Sequence, residues 1–271
     1  MMNRSERQSF LGEDSDTILS ALRVAIVGLG GGGSHIVQQL AHIGVGHFLI
    51  MDHDQIEASN LNRLVGGTAA DVRRSEWKAA IAARVIRRVN PRAKTIAECT
   101  RWEERAELLR SCDIIFGCID SFSGRAELET VARRYLIPYI DIGMDVHEQG
   151  ARFSITGQVA LSMPGYACLR CMNIIRPELL AEEARKYGAS GGKPQVVWPN
   201  GVLASLAVGV MMQLVTPWHD EHQPVHLLEY DGNVPEIHPA SSTGFLTAVD
   251  CSHYGSAADL GNPWYGRLVH R

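Results

Sequence analysis

The sequence predicts an α/β protein built on a doubly wound, mostly parallel sheet. Between residues 23 and 143, short runs rich in β-branched residues alternate with helical segments, and this alternation is typical of a parallel sheet. A glycine-rich turn follows the first of these strands directly, where open α/β sheets bind ligands. From about Ala151 the pattern changes, and antiparallel strands extend the sheet in the C-terminal half.

Each predicted strand is a short apolar run, and each predicted helix carries apolar residues three and four positions apart. The predicted strands are RVAIVG (23–28), HFLIMD (47–52), KTIAEC (94–99), DIIFGCID (113–120), YIDIG (139–143), ARFSITGQVAL (151–161) and VHLLEY (225–230). The predicted helices are GSHIVQQLAHIG (33–44), SEWKAAIAARVIRRVN (75–90), the charged segment 177–187 and the apolar segment 201–215, and further helical segments are predicted between the strands 94–99, 113–120 and 139–143.

Composition narrows the class of protein. The chain has 271 residues, 45% of them hydrophobic and 21% charged, with a net charge of -4, so nothing in its overall charge favours nucleic-acid binding. The apolar run 201–215 is shorter than the ~20 residues of a membrane span, and residues 1–16 lack the apolar core of a secretory signal. Six cysteines do not make a disulfide scaffold in a chain of this size. We expect a cytoplasmic protein without a membrane partner.

The glycine-rich turn predicts a nucleotide site. GLGGGGSH places Gly28, Gly30 and Gly33 in the order G-x-G-x-x-G between a strand and a helix, and Asp52 follows twenty-four residues after Gly28. Glycines permit the tight turn and let backbone N–H groups and the helix N-terminus approach phosphate, while the acid binds a ribose. This is the arrangement of a Rossmann-like nucleotide-binding half.

Polar residues beyond the turn favour a triphosphate over a nicotinamide cofactor. A dehydrogenase needs little beyond backbone contacts to two phosphates, which argues against an NAD-dependent oxidoreductase. Adenylation must stabilise a leaving pyrophosphate with cations, polar donors and Mg²⁺. Suitable donors stand at Asn60, Asn62, Arg63 and Lys78, and Asp120 at the carboxyl end of a strand is placed to hold magnesium.

These motifs together resemble the ThiF/MoeB/HesA family, relatives of the ubiquitin-activating enzymes. The resemblance rests on RSERQSFLG, GLGGGG, DHDQIEASNLNR, Lys78 and GCIDS, and it covers roughly residues 4–232. It implies a homodimer that uses MgATP to adenylate the C-terminal glycine of a ubiquitin-like or sulfur-carrier protein, with release of pyrophosphate.

The resemblance also implies a role for each motif residue. Asp52 would bind the ribose with Asp54 nearby, and Asp120 would be the acid linked to the metal. Arg7, of the pair Arg7-Gln8, would reach into the active site of the partner subunit. The phosphates would be contacted by Asn60, Arg63 and Lys78.

We expect one continuous domain in three parts. Residues 1–22 are predicted to form an N-terminal arm that contributes to the partner subunit's site, and residues 23–150 the nucleotide-binding half. Residues 151–271 would form a C-terminal half that carries a zinc knuckle, a crossover loop (ASGGKPQ, 189–195) and a surface for the dimer or the substrate. The histidine-rich segment PWHDEHQPVH (217–226) has no ligand spacing and is predicted to be a solvated loop.

Cys168-Leu-Arg-Cys171 has the spacing of half a zinc knuckle, although a redox pair and two incidental cysteines have the same spacing. Family members with this feature carry a second Cys-x-x-Cys near the C-terminus. Here DCSHYG aligns Cys251 with the first cysteine and places Tyr254 where the second should stand. His253 is a suitable substitute, which predicts a zinc site of Cys168, Cys171, Cys251 and His253; the alternative is that the site is lost.

The chain is predicted to lack the catalytic cysteine that ubiquitin-activating enzymes carry after the Cys-x-x-Cys loop. Residues 187–200 contain no cysteine, and Cys99, Cys112 and Cys118 lie in or beside strands, where buried thiols are inert. Two alternatives to a protein-activating enzyme stay open. One is an enzyme resembling the tRNA threonylcarbamoyladenosine dehydratase, and the other is a non-catalytic subunit that dimerises with an active homologue.

Overall fold

A computed structural model describes residues 6–185, 194–219, 225–246 and 251–254. Its eight-stranded sheet comprises β1 (Arg23–Val27), β2 (His47–Met51), β3 (Lys94–Glu98), β4 (Ile114–Gly117), β5 (Tyr139–Gln149), β6 (Arg152–Ser162), β7 (Leu227–Asp231) and β8 (Glu236–Pro239). The strand order is β3-β2-β1-β4-β5-β6-β7-β8. Strands β1 to β5 pair in parallel, and β5 to β8 pair antiparallel. The predicted fold class is therefore confirmed.

Eight α-helices lie among the described residues. They are α1 (Ser15–Ala21), α2 (Gly31–Ile43), α3 (Ala69–Arg73), α4 (Lys78–Val89), α5 (Phe122–Arg134), α6 (Pro177–Arg185), α7 (Val197–Val215) and α8 (Thr243–Leu246). Three 3-10 helices, Glu6–Leu11, Ala58–Asn60 and Trp102–Ser111, occupy parts of the connections. Each predicted helical segment is present, with Trp102–Ser111 and α5 between the last pairs of parallel strands. The short elements α1, α3, α8 and β8 were not predicted, because none of them carries a full period of apolar residues.

Helices cover both faces of the sheet. One core cluster joins α2, α4 and α7 to the sheet, and a second joins α5 and the 3-10 helix Trp102–Ser111 to its other face. Because strands β1 and β4 are buried on both faces, their sequences are continuous apolar runs with no alternation. This two-sided cover leaves the carboxyl ends of the parallel strands as the open edge of the fold.

The apolar segment 201–215 forms the C-terminal part of α7, which begins four residues earlier than predicted. At 19 residues this helix meets the length and composition of a membrane span, but half of it is buried inside the protein. It packs on α2 and on strands β5 and β6. The core helix of a globular fold meets the same criterion, so the uniform apolarity of α7 is explained by its packing.

The C-terminal half departs from two further expectations. Strand β5 runs to Gln149, six residues beyond the predicted end, because it pairs with β6 along its whole length. The predicted division at residue 150 falls on the turn between them, where Gly150 has φ 64°. Of the predicted solvated loop 217–226, residues 220–224 lie outside the described residues. The prediction is wrong at the end of the loop, because His226 is fully buried and its Nδ1 lies 3.1 Å from the carbonyl oxygen of Leu161.

Candidate active site

A cavity of about 850 Å³ opens at the carboxyl ends of the parallel strands and continues along β5 to β8. Ligand sites of open α/β sheets lie at this edge, where the strand order reverses. Most of the predicted site residues line the cavity, although their sequence positions span 93 residues. Those that do are Gly28, Gly30, Asp52, Asp54, Asn60, Arg63, Lys78 and Asp120.

The three motif glycines serve different physical purposes. Gly28 has φ 88°, and a Cβ there would lie 2.4 Å from the carbonyl oxygen of Cys118. At Gly33 a Cβ would lie 1.9 Å from the carbonyl oxygen of Gly28, so α2 packs against the strand only without a side chain. At Gly30, the residue before α2, a Cβ would meet no protein atom within 4 Å. The space beside Gly30 belongs to the cavity, and a ligand phosphate can approach the helix N-terminus there.

Asp52 is held by backbone donors at the end of β2. Its two carboxylate oxygens accept hydrogen bonds from the backbone N–H of Leu29, at 2.6 Å, and of Asp54, at 2.8 Å. Burial raises the pKa of Asp52, and the nearby Lys78 charge opposes that rise. Both oxygens keep a lone pair for a hydroxyl donor, which suits a ribose.

Asp54 and Lys78 form an ion pair at the same edge. The Nζ of Lys78 lies 2.7 Å from Oδ2 of Asp54, and the Lys78 side chain is mostly buried. Burial alone would raise the pKa of Asp54, but the hydrogen bond and charge of Lys78 outweigh it, and the pKa is lowered. The carboxylate therefore holds the ammonium at the cavity wall.

The segment after β2 carries Asn60, Asn62 and Arg63. Asn60 is buried, and its Oδ1 accepts a hydrogen bond of 3.0 Å from the N–H of Glu57. The Nη1 of Arg63 donates to the carbonyl oxygen of Ser59 at 2.7 Å and to Oδ1 of Asn62 at 3.0 Å. Asn62 is not among the residues that line the cavity and supports Arg63 through this bond, and its contact with the nucleotide stays a prediction.

A buried carboxylate anchors this segment to helix α4. Asp71 is fully buried and accepts hydrogen bonds from both terminal nitrogens of Arg84, at 2.8 and 2.7 Å. Thr68 Oγ1 donates to the same carboxylate at 2.6 Å. The Arg84 hydrogen bond, opposed by burial, holds the pKa of Asp71 well below its usual range. Because α4 begins at Lys78, this pair fixes the Arg63 segment relative to the Lys78 helix.

Asp120 lies in the connection between β4 and α5 and is exposed. Its Oδ1 accepts a hydrogen bond of 3.3 Å from Nε2 of Gln195. A carboxylate oxygen is a ligand that magnesium prefers, and Asp120 is exposed beside the groups predicted to bind phosphate, so the residue present fits the expected cation. Of the predicted crossover loop 189–195, residues 189–193 lie outside the described residues, but Gln195 lines the cavity.

The sequence reasoning missed a buried ion pair below the cavity. Arg125 of α5 donates to both oxygens of Asp141 on β5, and the Tyr139 hydroxyl donates to the same carboxylate at 2.9 Å. Arg125 also lines the cavity, where it lies close to Gly143. An aspartate inside the apolar run YIDIG was the available signal, because buried carboxylates are paired.

The four predicted zinc ligands come together, although residue 168 is 83 positions from residue 251. Sγ of Cys171 lies 3.6 Å from that of Cys168 and 3.7 Å from that of Cys251, and His253 Nδ1 lies 3.5 Å from the sulfurs of both Cys168 and Cys171. A tetrahedron with Zn–S bonds of about 2.3 Å has sulfur–sulfur edges of about 3.8 Å. The quartet therefore has the size of a zinc site.

Tyr254 turns away from the quartet. Its hydroxyl donates to Oε2 of Glu129 at 3.2 Å and lies 3.1 Å from Oγ1 of Thr130, both on α5. Glu129 is fully buried, and its other oxygen accepts from Ser162 Oγ and from the N–H of Leu169. The residue that replaces the expected cysteine thus binds the C-terminal segment, residues 251–254, to α5.

The remaining cysteines do not resemble nucleophiles. Burial raises the pKa of Cys99, raises that of Cys112 to about 11, and raises that of Cys118 well above its usual value. A thiol with a raised pKa carries little thiolate at neutral pH. The absence of an acceptor cysteine in this chain stays a prediction.

Arg7 is far from the cavity of its own chain. It is exposed on the 3-10 helix Glu6–Leu11, where Gln8 Nε2 donates to the carbonyl oxygen of Ile43 at 3.1 Å. Ile43 ends α2, whose N-terminus borders the cavity. Thirteen residues of α-helix span roughly 20 Å, so Arg7 lies outside the site that its own chain builds.

Comparison with known proteins identifies the family. The ThiF family profile matches residues 2–243, which is most of the chain. The chain belongs to the ThiF family. The sulfur carrier protein adenylyltransferase of Thermus thermophilus is 29% identical over 242 residues, which cover 85% of this ThiF family chain and 83% of that protein. The family predicted from the motifs is therefore confirmed.

Other ThiF family relatives match over shorter stretches. The SAMP-activating enzyme E1 of Haloferax volcanii is 31% identical over 170 residues, covering 62% of this chain and 59% of that enzyme. The sulfur carrier protein ThiS adenylyltransferase of Bacillus subtilis is 31% identical over 179 residues, 64% of this chain and 51% of that enzyme. The chain thus spans between half and three fifths of the length of these two relatives. Both relatives are named as enzymes of the predicted class.

Solved structures agree on the fold. MccB of E. coli with MccA-N7isoASN has a TM-score of 0.73 and 21% identity, with 94% of this chain and 74% of that chain covered. MccB with ATP has a TM-score of 0.68 and 21% identity, with 88% and 71% covered. At this identity the likeness shows the ThiF-like fold alone.

Proposed function

We propose that this protein adenylates the C-terminal glycine carboxylate of a ubiquitin-like or sulfur-carrier protein, using ATP and releasing pyrophosphate. The observation that carries the proposal is one shared cavity, which the open N-terminus of α2, Asp52, Arg63, Lys78 and Asp120 all face. Relatives named as sulfur carrier adenylyltransferases support the choice of substrate.

In this proposal the parallel half binds the ribose and the phosphates of ATP. Asp52 accepts from a ribose hydroxyl, and the backbone N–H groups that begin α2 meet the phosphates beside Gly30. Arg63 and Lys78 bring positive charge to the β- and γ-phosphates, which leave together. Asp120 would hold Mg²⁺, which when bound neutralises charge on the departing pyrophosphate.

The reaction needs no general base from the enzyme. The substrate carboxylate is already ionised at neutral pH, so one of its oxygens forms a bond to the α-phosphorus while the bond from that phosphorus to the bridging oxygen breaks. Pyrophosphate leaves with the electron pair, and the product is an acyl-adenylate. Catalysis is then positioning together with stabilisation of charge.

The antiparallel half offers the path for the substrate tail. The cavity continues past Gly143 and Gln158, which face each other on β5 and β6. At Gly143 a Cβ would lie 2.5 Å from Nε2 of Gln158, so the wall already lacks a side chain there. A wall without a side chain at this position suits a tail that ends in glycine.

We infer that the enzyme is a homodimer in which Arg7 completes the partner's site. Arg7 lies roughly one helix length from its own cavity, so it acts on ATP only across a subunit interface. Each site would then combine Arg7 of one chain with the cavity of the other. A twofold symmetric dimer provides two such sites.

We also infer a structural zinc ion at Cys168, Cys171, Cys251 and His253. Their spacing fits tetrahedral coordination, and a four-ligand site leaves no position open for catalysis. The role of the zinc ion would be to hold the C-terminal segment against the loop after β6. Reduced thiolate ligands are in keeping with the reducing cytoplasm in which we expect the protein to act.

ATP–pyrophosphate exchange tests the function. The assay contains Mg²⁺ and either a candidate carrier protein ending in glycine, the same carrier without its last glycine, or total tRNA. We expect exchange with the intact carrier only. Exchange with tRNA alone would establish the dehydratase-like reading, and ATP binding without exchange for any carrier would favour a non-catalytic subunit.

Mixing two inactive variants tests the dimer. Arg7→Ala and Asp120→Ala are each expected to be inactive, but a mixed dimer has one site in which both residues are intact. Random reassortment should restore about a quarter of the wild-type rate. No restoration after verified subunit exchange would show that Arg7 acts within its own chain or not at all.

A further inference from the structure

Gln195 spans the mouth of the cavity and contacts both of its sides. It lies two residues before α7 and bonds to Asp120 after β4 through its side chain. Its backbone carbonyl oxygen accepts a hydrogen bond of 2.9 Å from Nδ2 of Asn62, which follows β2. Since β1 lies between β2 and β4, the two sides are two strand spacings, or about 10 Å, apart.

The contacts form a continuous chain from cation to acid. Arg63 donates to the Asn62 amide oxygen, Asn62 donates to Gln195, and Gln195 donates to Oδ1 of Asp120. Under the proposed function, Arg63 and Asp120 lie on opposite sides of the bound Mg²⁺–triphosphate. These hydrogen bonds link the positions of the two residues.

The chemistry of the amide suits a carboxylate that must still bind a cation. Among the described residues, Gln195 is the one side chain that donates to Asp120. A neutral N–H orients one carboxylate oxygen and leaves the full negative charge and the other oxygen for magnesium. A lysine or arginine at this position would instead compete with the metal ion for the charge.

We propose that Gln195 is a positioning residue that orients Asp120 for Mg²⁺ and couples it to the Arg63 segment. This proposal rests on the proposed function, because it takes MgATP as the ligand of the cavity. Gln195 acts through Asp120 and Asn62 and need not touch the reacting atoms. Asn62, assigned to the nucleotide by its sequence motif, belongs to the same bridge.

The test measures how much Mg²⁺ strengthens ATP binding. Gln195→Met keeps the length of the side chain and the backbone bond to Asn62 but removes the N–H donor. ATP affinity is measured by calorimetry in excess Mg²⁺ and in EDTA, with no carrier protein present. For Gln195→Met we expect unchanged affinity in EDTA within twofold, and an affinity gain on adding Mg²⁺ about tenfold smaller than for the wild-type protein.

Two controls accompany this variant. Gln39→Ala removes a glutamine of α2 whose amide donates a hydrogen bond to Ser205 of α7. The ATP affinities of this variant should match those of the wild-type protein. Asp120→Ala should abolish the Mg²⁺-dependent gain. A melting temperature close to the wild-type value verifies that Gln195→Met is folded.

Three results would overturn the proposal. The first is a Gln195→Met gain within twofold of wild type, which means that Asp120 needs no support. The second is an equal loss of affinity with and without Mg²⁺, which indicates a general effect on the cavity. The third is a wild-type protein that binds no MgATP, which also overturns the proposed function. Normal binding without exchange would count against adenylation alone and leave the Gln195 result valid.

Discussion

The parallel and antiparallel halves of the sheet build their sites in different ways. In the parallel half, Asp52 and Asp120 each follow a strand within three residues, so the strand order brings them to one edge. In the antiparallel half, Cys171 meets Cys251 across 80 residues of sequence. The first site follows from local sequence and strand order, whereas the second depends on how the C-terminal segment packs.

The two halves also stabilise their sites differently. The nucleotide side uses fixed charges, with Asp54 paired to Lys78 and Asp71 paired to Arg84. The cysteine side brings together three thiols and one imidazole, which we propose are held by a zinc ion, and the bond from Tyr254 to Glu129 supports the same segment. We therefore expect changes on the nucleotide side to affect catalysis most, and changes on the cysteine side to affect folding most.

The largest expected effect is the loss of catalysis in Asp120→Ala. Without this carboxylate the leaving pyrophosphate loses its metal-linked stabilisation, so exchange should fall at least about a hundredfold. ATP–pyrophosphate exchange measures it. Asp113→Ala is the matched control, because Asp113 lies before the same strand at its opposite end and caps the N–H of Arg23. Comparable loss in both variants would contradict a specific role for Asp120.

The next effect concerns metal and stability in the antiparallel half. Cys168→Ser should reduce bound zinc from about one per chain to background and lower the melting temperature by roughly 5–10 °C. Metal analysis and thermal unfolding report the two quantities. Cys99→Ser, a cysteine outside the quartet, should change neither. A full zinc complement in Cys168→Ser would remove this residue from the ligand set.

Breaking the Asp71–Arg84 pair should destabilise the nucleotide side by about 3 kcal/mol, the lower end of the range for buried pairs, because Arg84 is partly exposed. Asp71→Asn tests this by urea unfolding at pH 7, and exposed Asp14→Asn serves as the control. We also expect the KM for ATP to rise, since Arg63 and Lys78 lose their fixed separation. An unchanged free energy of unfolding would show that the pair adds nothing.

The same pair predicts a pH dependence. Because the pKa of Asp71 is lower in the folded state than in the unfolded state, its contribution is complete above the unfolded value of about 3.9. That contribution is lost as the pH falls below about 4 towards the folded-state pKa. The wild-type protein should thus lose its stability advantage over Asp71→Asn in this acidic window. A difference that persisted undiminished at the acid end would contradict the assignment.

The smallest expected effect is that of Tyr254→Phe. Removing one hydroxyl from its bonds to Glu129 and Thr130 should cost about 1 kcal/mol without loss of zinc. Thr130→Val and the double variant complete a thermodynamic cycle, in which coupled residues give less than the sum of the single effects. Strict additivity would show that the Tyr254–Thr130 contact does not contribute.

Much of the nucleotide site was predictable because its determinants are local. Gly28 requires a backbone conformation that other residues rarely adopt, and Gly33 permits helix and strand to touch. Such requirements place glycines at fixed spacings in the sequence, and the acid that follows the second strand also lies at a fixed distance from them. The sequence motif was less informative about Asn62, because an amide beside phosphate-binding residues looks the same whether it binds the ligand or supports a neighbour.

The sequence by itself determined the fold class, since apolar periodicity and glycine spacing reflect short-range geometry. Its motifs carried the resemblance to the family, and they placed polar residues at the carboxyl ends of the strands. It also named the four candidate zinc ligands through the family pattern. Only the tertiary structure decided that His226 is buried, that Arg125 pairs with Asp141, and that Gln195 bridges Asn62 and Asp120. These contacts join residues 16 to 133 positions apart, and side-chain packing across the sheet, which no local pattern encodes, brings them together.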